Sequence, residues 1–136
     1  MEITRAAYDE IYVYAMARPG FILQYVVDAT TVQTATVDTR PIAIVFSLVG
    51  LYLHIEKQFS GKQVQRAHRD LAKTKQKWPN LSLPDNRGSM TATEVLAATA
   101  GPERDRAIKD WCESVWAACI AHRETIVALS REHQLA

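Results

Sequence analysis

The sequence predicts an all-α protein, and three observations support this class. Most apolar residues recur at spacings of three and four, which is the period of an amphipathic helix. No Asn-Gly or Asp-Gly pair stands between alternating apolar runs, as a tight β-hairpin would favour. Two short stretches, at residues 60–63 and 91–94, match the capping box that opens a helix. We therefore expect one helical-bundle domain over residues 1–136, with about five principal helices.

The first two predicted helices are separated by the Arg-Pro-Gly turn at residues 18–20. Thr4 can cap a first helix that runs to about Ala17, because its hydroxyl can accept a hydrogen bond from the first turn. A second helix is expected through FILQYVVDATTVQTA (21–35), and the polar segment 36–41 then breaks the chain.

The third predicted helix, at about residues 41–59, should be the centre of the bundle. Pro41 suits its first turn, where a missing N–H costs nothing. The run from Ile42 to Leu53 is broken only by Ser47 and Gly50 and is apolar on every side, so other helices must surround it. Because a bilayer needs roughly 20 apolar residues, this shorter run indicates a core helix and no membrane span.

The second half of the chain predicts a fourth helix from the Ser60 capping box to about Lys77. The proline-containing stretch PNLSLPDNRGSM (79–90) is expected to be a loop, and a short helix should follow over residues 91–98. The last and longest helix should start at Gly101 and carry an apolar stripe as far as Leu129. Trp111 and Trp116 are five residues apart on it, so at most one is expected fully in the core.

The composition limits the classes of partner. Sixteen basic and fifteen acidic residues leave a net charge of +1, so the molecule as a whole has no field that attracts nucleic acid or anionic lipid. A basic face on the fourth helix is expected to be solvated, and nucleic-acid binding is not favoured. The first residues lack a secretory signal, and Cys112 and Cys119 are too far apart along a helix for a disulfide. We expect a cytoplasmic protein with reduced thiols.

Polar residues on apolar stripes are the candidate functional groups. His54, His68 and His122 lie on inward-facing positions of different predicted helices, and Asp28 sits in an apolar stretch where a carboxylate needs a partner. The leading hypothesis is a pocket that binds a small organic ligand, in which His54 acts as general base or hydrogen-bond donor and Asp28 orients it. The expected ligand contacts are Tyr25, Gln24, Ser47 and Thr31, and no cofactor is favoured.

Three alternatives stay open. His54, His68 and His122 could bind a divalent metal, because imidazole ligands from separate helices of a bundle can converge on one ion. No H-E-x-x-H or E-x-x-H motif supports such a site. Alternatively, the same residues are core polar groups that find hydrogen-bond partners. The protein could also be a non-catalytic interaction or regulatory module. Such a module would form a homodimer through exposed aromatic residues or meet an acidic partner through the basic fourth helix.

Glu56 and Gly50 bear on the role of His54. Glu56 is two residues beyond His54, about 200° around the helix, so the two cannot form a local acid–base pair. Glu56 is expected near the surface, paired with Lys57 or Arg66. Gly50 lies one turn before His54 on the same face, where it either permits close helix packing, the commoner reason, or leaves room for a ligand.

Four stretches of the chain, taken in order, resemble a family of small bacterial proteins known only as a domain of unknown function. They are GLYLHIEKQFSGKQVQRAH (50–68), WP (78–79), RGSMTATEVLAA (87–98) and GPERDRAIKDWCESVW (101–116). The resemblance implies a compact helical fold and no established activity. It also implies histidines in the second helix and an N-terminal cysteine pair, whereas this chain has Tyr25 and Thr34 at the histidine positions and no such cysteines. The matching residues are Asp28, Gln33, His54, Glu56 and His68.

Overall fold

A computed structural model describes residues 5–136 and confirms the all-α class. Its helices are α1 (Arg5–Met16), α2 (Leu23–Thr34), α3 (Pro41–Ile55), α4 (Gly61–Ala72), α5 (Ala92–Ala97), α6 (Pro102–Ala118) and α7 (Arg123–Glu132). Short 3-10 turns at Pro19–Phe21 and Ile120–His122 precede α2 and α7. No strand occurs within residues 5–136. Thr4, the predicted cap of the first helix, lies outside the described residues.

Helix α3 is the centre of the bundle, as predicted. It contacts α2, α4, α6 and α7, and every residue from Ser47 to His54 is buried. The helix ends at Ile55 and not near residue 59, because Gln58 adopts a left-handed conformation with φ of 57°. That turn lets the Phe59 N–H donate to the carbonyl of Leu53 at 2.9 Å, which closes the helix end.

Local chemistry sets most of the other helix boundaries. Both predicted capping boxes are present, with Ser60 opening α4 and Thr91 opening α5. Helix α4 ends at Ala72, five residues before the predicted end at Lys77. The Thr74 hydroxyl donates to a carbonyl in the last turn of α4 at 2.7 Å, so a side chain satisfies a group that a longer helix would have used.

The predicted last helix is divided into α6 and α7. Cys119 has φ of −101° and ψ of 17°, which is outside the α-helical region, and a 3-10 turn follows it. The ring of His122 in that turn donates to the carbonyl of Ser82 in the loop before α5. The apolar stripe continues across the break, since Cys119 and Ile126 are both buried. The spacing of apolar residues is therefore unbroken at this point, and it did not reveal the division into α6 and α7.

Glu56 joins the end of α3 to α6 and α7. Its carboxylate accepts three hydrogen bonds from Arg123, at 2.6, 2.8 and 3.1 Å, and one from the indole of Trp116 at 2.8 Å. The hydrogen bonds from Arg123 lower the pKa of Glu56 below its usual value. These partners replace the predicted Lys57 and Arg66. They also bury Trp116, so both tryptophans of α6 are in the core and not only Trp111.

Gln33 ties four parts of the fold together. Its side-chain oxygen accepts from the Tyr8 hydroxyl on α1 and from the Trp111 indole on α6, both at 2.9 Å. Its amide nitrogen donates to the carbonyls of Arg87 and Met90, at 3.1 and 2.7 Å. All the hydrogen-bonding capacity of this buried amide is therefore used.

Arg87 fastens the loop between α4 and α5 to the end of α2. Its guanidinium donates to the carbonyls of Val32 and Ala35, at 3.0 and 2.6 Å, and to that of Pro84 at 2.9 Å. These carbonyls include groups that a helix C-terminus leaves without intrahelical partners, and a cation there also complements the helix dipole. The loop is thus anchored to the helix that carries Asp28.

Two further sequence predictions can be compared with the described residues. Within them, no helix has both the length and the apolar character needed to cross a membrane. Cys112 and Cys119 are buried and carry free thiols. Burial raises the pKa of the Cys119 thiol to about 11, so neither its access nor its charge state suits a nucleophile.

Candidate polar site between α2, α3 and α4

Gly50 makes the space on α3 that Asp28 of α2 fills. A Cβ atom built on Gly50 would lie 1.9 Å from Asp28 Oδ2 and 3.0 Å from His68 Nε2. No other residue type can occupy this position without displacing the carboxyl group. The glycine therefore serves close approach of side chains from two neighbouring helices, which agrees with the packing interpretation of this position.

Asp28 is the acidic residue of this site and is buried, with 2% of its surface exposed. Its Oδ1 accepts a hydrogen bond of 3.1 Å from the Gln24 amide, one turn earlier on α2. Its Oδ2 is buried and has no hydrogen-bond partner among the described residues. A buried carboxyl oxygen without a partner is costly for the fold, so this one needs an explanation.

His68 of α4 is the histidine beside Asp28. Its Nε2 lies 4.0 Å from Asp28 Oδ1 and 2.8 Å from the backbone oxygen of Phe46. Its Nδ1 is 3.3 Å from the Gln24 amide nitrogen, which also contacts Asp28. Because the carbonyl can only accept and the amide NH2 can only donate, Nε2 carries the proton and Nδ1 carries the lone pair.

Asp28 and His68 are not hydrogen-bonded to each other, and burial shifts both toward the uncharged form. Burial raises the pKa of the Asp28 carboxyl well above its usual value, and the hydrogen bond from Gln24 opposes this only in part. Burial also lowers the pKa of His68, although its contact with the Phe46 carbonyl acts in the opposite direction. A separation of 4.0 Å is too long for a hydrogen bond between the two. A buried carboxyl group and a half-buried imidazole thus lie side by side, and burial favours the uncharged form of each.

His54 occupies the next level of the same interface, one turn further along α3. Its ring stacks on Tyr25 with the centroids 3.4 Å apart and an angle of 3° between the planes. Burial lowers the pKa of His54 to about 4, and the positive charge of Lys109 contributes. Its Nδ1 is buried and lacks a partner within residues 5–136. The Tyr25 hydroxyl donates to the carbonyl of Phe59 at 2.6 Å, which fixes the stack.

The structure gives Asp28 a different histidine neighbour from the predicted one. His68, predicted only as a metal ligand, lies beside the carboxyl group, whereas His54 stacks on Tyr25 one level away. Gln24 lies beside Asp28 and donates to it, and Ser47 is buried on the same face of α3 as Gly50. Periodicity gave the direction of each side chain about its own helix, but it could not give the height at which two helices meet.

Thr31 lies outside this site. It lines a cleft of about 560 Å³ between α1 and α2, on another face of α2 from Asp28. Thr31, which was predicted to contact a ligand beside Asp28, is instead half-buried at this surface cleft.

Two features of the site were not predicted from the sequence: Gly50 provides the space for Asp28, and His68 is the histidine beside it. A glycine in a helix that is apolar on every side was the available signal.

The three predicted metal-binding histidines do not assemble. His122 sits in the 3-10 turn before α7, where its ring contacts the Ser82 carbonyl. His68 and His54 are held by the Phe46 carbonyl and by Tyr25. Across residues 5–136, no group of three or more His, Cys, Asp or Glu side chains has a geometry that could hold a metal ion. This corrects the alternative ligand set, because its members point to different neighbours.

The fold and this site together define a class of protein: an all-α bundle with a carboxyl group buried beside a histidine at its central helix. The match to a family model identifies the chain more narrowly than its fold does. Residues 5–120 match the model of a family of unknown function, DUF5946, so the chain belongs to that family. No curated protein and no solved structure matches the chain.

Proposed function

We propose that this protein binds a small organic molecule at the Asp28–His68 pair and exchanges protons with it, without a cofactor. The observation that carries the proposal is Asp28 Oδ2, buried without a partner beside a neutral histidine. Buried titratable groups with displaced pKa values are concentrated at functional sites, because catalysis needs groups whose charge state fits their task. A structural core would favour a partner for that oxygen.

The two groups have complementary chemistry. A protonated Asp28 carboxyl can donate a proton to an acceptor atom of the ligand, while His68 Nδ1 can receive a proton from another atom. The net result is a tautomerisation of the ligand. It leaves a carboxylate next to an imidazolium. Loss of the Nδ1 proton to water and uptake of a proton from water by Asp28 restore the neutral pair with its original proton on Nε2. Neither step needs an added oxidant or reductant.

Gln24 suggests which ligands fit. Its amide nitrogen stands between Asp28 Oδ1 and His68 Nδ1, at 3.1 and 3.3 Å, and donates a hydrogen to each. Gln24 and His68 are half-buried and form the outer edge of the site. A ligand with its own NH2 group, such as a primary amide or an amine, can replace this contact if the Gln24 side chain swings away. His54, on the next level, keeps its proposed role as a second proton-accepting or donating group.

The test starts with the protonation state of Asp28. Carbon NMR of the Asp28 carboxyl should report the protonated form at neutral pH, and its absence in Asp28→Asn assigns the signal. Binding of acetamide and benzamide is then followed in amide NMR spectra. We expect Gln24→Ala to bind these probes more tightly than the wild type, and Asp28→Asn and His68→Gln to bind them more weakly.

The matched control is Gln65→Ala, which truncates an exposed glutamine on α4. It should leave binding of both amides unchanged. An ionised Asp28 at neutral pH, or amide binding that is indifferent to Gln24, Asp28 and His68, would overturn the proposal.

We also propose three further points, which concern the source, the location and the assembly of the protein. They are a bacterial source, a cytoplasmic location and the alternative of a homodimeric regulatory module. Gel filtration with light scattering tests the last of these, since a monomer across the accessible concentration range argues against it.

A further inference from the structure

A second candidate site lies on the side of α2 turned away from Asp28. The cleft of about 560 Å³ between α1 and α2 has a volume typical of small-molecule sites, which span roughly 300 to 1,000 Å³. Thr30, which lines it, is two residues beyond Asp28 and therefore about 200° around the helix. The cleft thus belongs to a different surface from the acid–base pair, and the two can be tested separately.

Most polar groups around the cleft already have partners. The Gln33 amide is saturated, the Thr34 hydroxyl donates to the Thr30 carbonyl at 2.7 Å, and the Thr36 hydroxyl accepts from the Asp38 N–H at 3.2 Å. Thr30 is different. Its Oγ1 is buried and has no hydrogen-bond partner within the described chain. If the Thr30 side chain rotates toward the cleft, an incoming ligand atom can satisfy this hydroxyl, which can both donate and accept.

The charge distribution indicates an uncharged ligand. The cleft is lined by Arg5 and Asp9, whose side chains lie 3.9 Å apart and are 89% and 69% exposed. They offset each other at the rim, in contact with water. The inner lining consists of hydroxyl-bearing, amide and alanine side chains, so a charged ligand group there would lose its hydration without a counter-ion.

Two tyrosines of α1 give the cleft an aromatic wall. Tyr8 is 5% exposed and its hydroxyl is committed to Gln33 at 2.9 Å, so only its ring is available to a ligand. Tyr12 lies one helical turn later and is 43% exposed. Aromatic rings favour the edge or face of another flat ring.

We infer that this cleft is a binding site for a neutral, planar organic molecule with one hydroxyl or carbonyl group. The polar group of the ligand pairs with Thr30 Oγ1, and its ring packs against Tyr8 and Tyr12. The site is distinct from the Asp28–His68 pair and needs none of its residues.

Three probes of similar shape test this assignment by titration in amide NMR spectra. The probes are p-cresol, which is neutral and carries a hydroxyl, toluene, which lacks it, and benzoate, which is charged. We expect p-cresol to shift the amide signals of Thr30, Thr31 and Ala35. It should bind about fivefold more tightly than toluene, the effect of one ordinary hydrogen bond, and benzoate should bind least.

Thr30→Val removes the hydroxyl and keeps the shape. It should abolish the preference for p-cresol over toluene, and it should raise Tm because a buried hydroxyl without a partner is removed. Thr30→Ser, which keeps the hydroxyl, should retain the preference. Thr125→Val, at an exposed position on α7, is the matched control and should change neither quantity.

Two results overturn the inference. One is a preference for p-cresol that survives Thr30→Val. The other is a set of shifts that saturates at amides away from the cleft. Asp28→Asn should leave p-cresol binding unchanged, so failure here and failure of the proton-exchange proposal are distinguishable.

Discussion

Asp28 and Gln33 are both buried polar residues of α2, yet their hydrogen bonding differs. Gln33 accepts from two side chains and donates to two backbone carbonyls. Asp28 accepts from Gln24 alone, and its other oxygen has no partner in the described part of the chain. A saturated polar network fixes a structure, whereas an unsatisfied carboxyl lowers stability and is retained where it serves chemistry. The two halves of one helix thus differ in how fully their buried polar groups are hydrogen-bonded.

Gln33→Leu should be the most destabilising change of those compared. It leaves the Tyr8 hydroxyl, the Trp111 indole and two loop carbonyls without partners, which should lower the free energy of unfolding by about 4 kcal/mol. Urea unfolding at neutral pH measures this. Gln65→Leu on the exposed face of α4 is the control and should change stability by less than about 0.5 kcal/mol. If Gln33→Leu lowers the free energy of unfolding as little as the control does, the hydrogen bonds of Gln33 do not stabilise the fold and the contrast with Asp28 is lost.

Gly50→Ala should cost about 3 kcal/mol, because the new methyl group would occupy the position of Asp28 Oδ2. Asp28→Ala in the same chain removes the clash, so the double variant should recover about 2 kcal/mol of that loss. Thermal and urea unfolding of the single and double variants provide the cycle. Pairing Gly50→Ala with Asp70→Ala, an exposed carboxylate on α4, should recover nothing. Additive effects for Gly50 and Asp28 would contradict the contact.

His54 should make the protein sensitive to mild acid. Burial holds the pKa of His54 at about 4, below the usual 6.5, so the fold favours the neutral ring. Stability from this group is present above pH 6.5 and is lost as the pH falls toward 4, by about 2 kcal/mol between pH 7 and pH 5. His54→Phe keeps a ring against Tyr25 and should flatten this dependence in urea unfolding. A smaller slope should remain, since the pKa of His68 is also lowered. Equal slopes in the two proteins would exclude a buried neutral His54.

Asp28→Asn should have an effect that is small in mild acid and grows with pH. The folded-state pKa of Asp28 is raised, so its favourable contribution is complete below the usual pKa of 3.8 and is lost as the pH rises through the folded-state value. The stability of the variant relative to the wild type should therefore rise with pH above 3.8. Urea unfolding at several pH values measures the difference, and Asp70→Asn is the surface control. A difference that falls with pH would mean that Asp28 is ionised and stabilising.

Local patterns in the sequence predicted the architecture well. The capping boxes at Ser60 and Thr91 are local chemistry and lie where they were expected. The central position of α3 follows from an apolar surface on every side. The end of α3 at Ile55 and the break at Cys119 depend instead on contacts made after folding, such as that of Arg123 with Glu56. Such contacts join residues that are distant in sequence, and a single sequence does not reveal them.

The candidate site was predicted only in part. The inward directions of Asp28, His54 and His68 follow from the stripes of their helices. Which histidine meets the carboxyl depends on how far α2 and α4 are shifted along α3, and periodicity carries no information about that shift. Gly50 fixes the level, because only there can the Asp28 carboxyl approach the α3 backbone.

The anchored loop between α4 and α5 also marks a place where the chain can be divided. Lys73, Lys75 and Lys77 are exposed and precede the anchors that Gln33 and Arg87 provide. A cut at these lysines leaves α1 to α4, with all the side chains of the acid–base pair, on one fragment, and α5 to α7 on the other. The two fragments keep a shared core and the Arg87 contacts with α2. Expression of the two fragments in separate cultures, followed by mixing, is therefore a route to isotope labelling of the site alone.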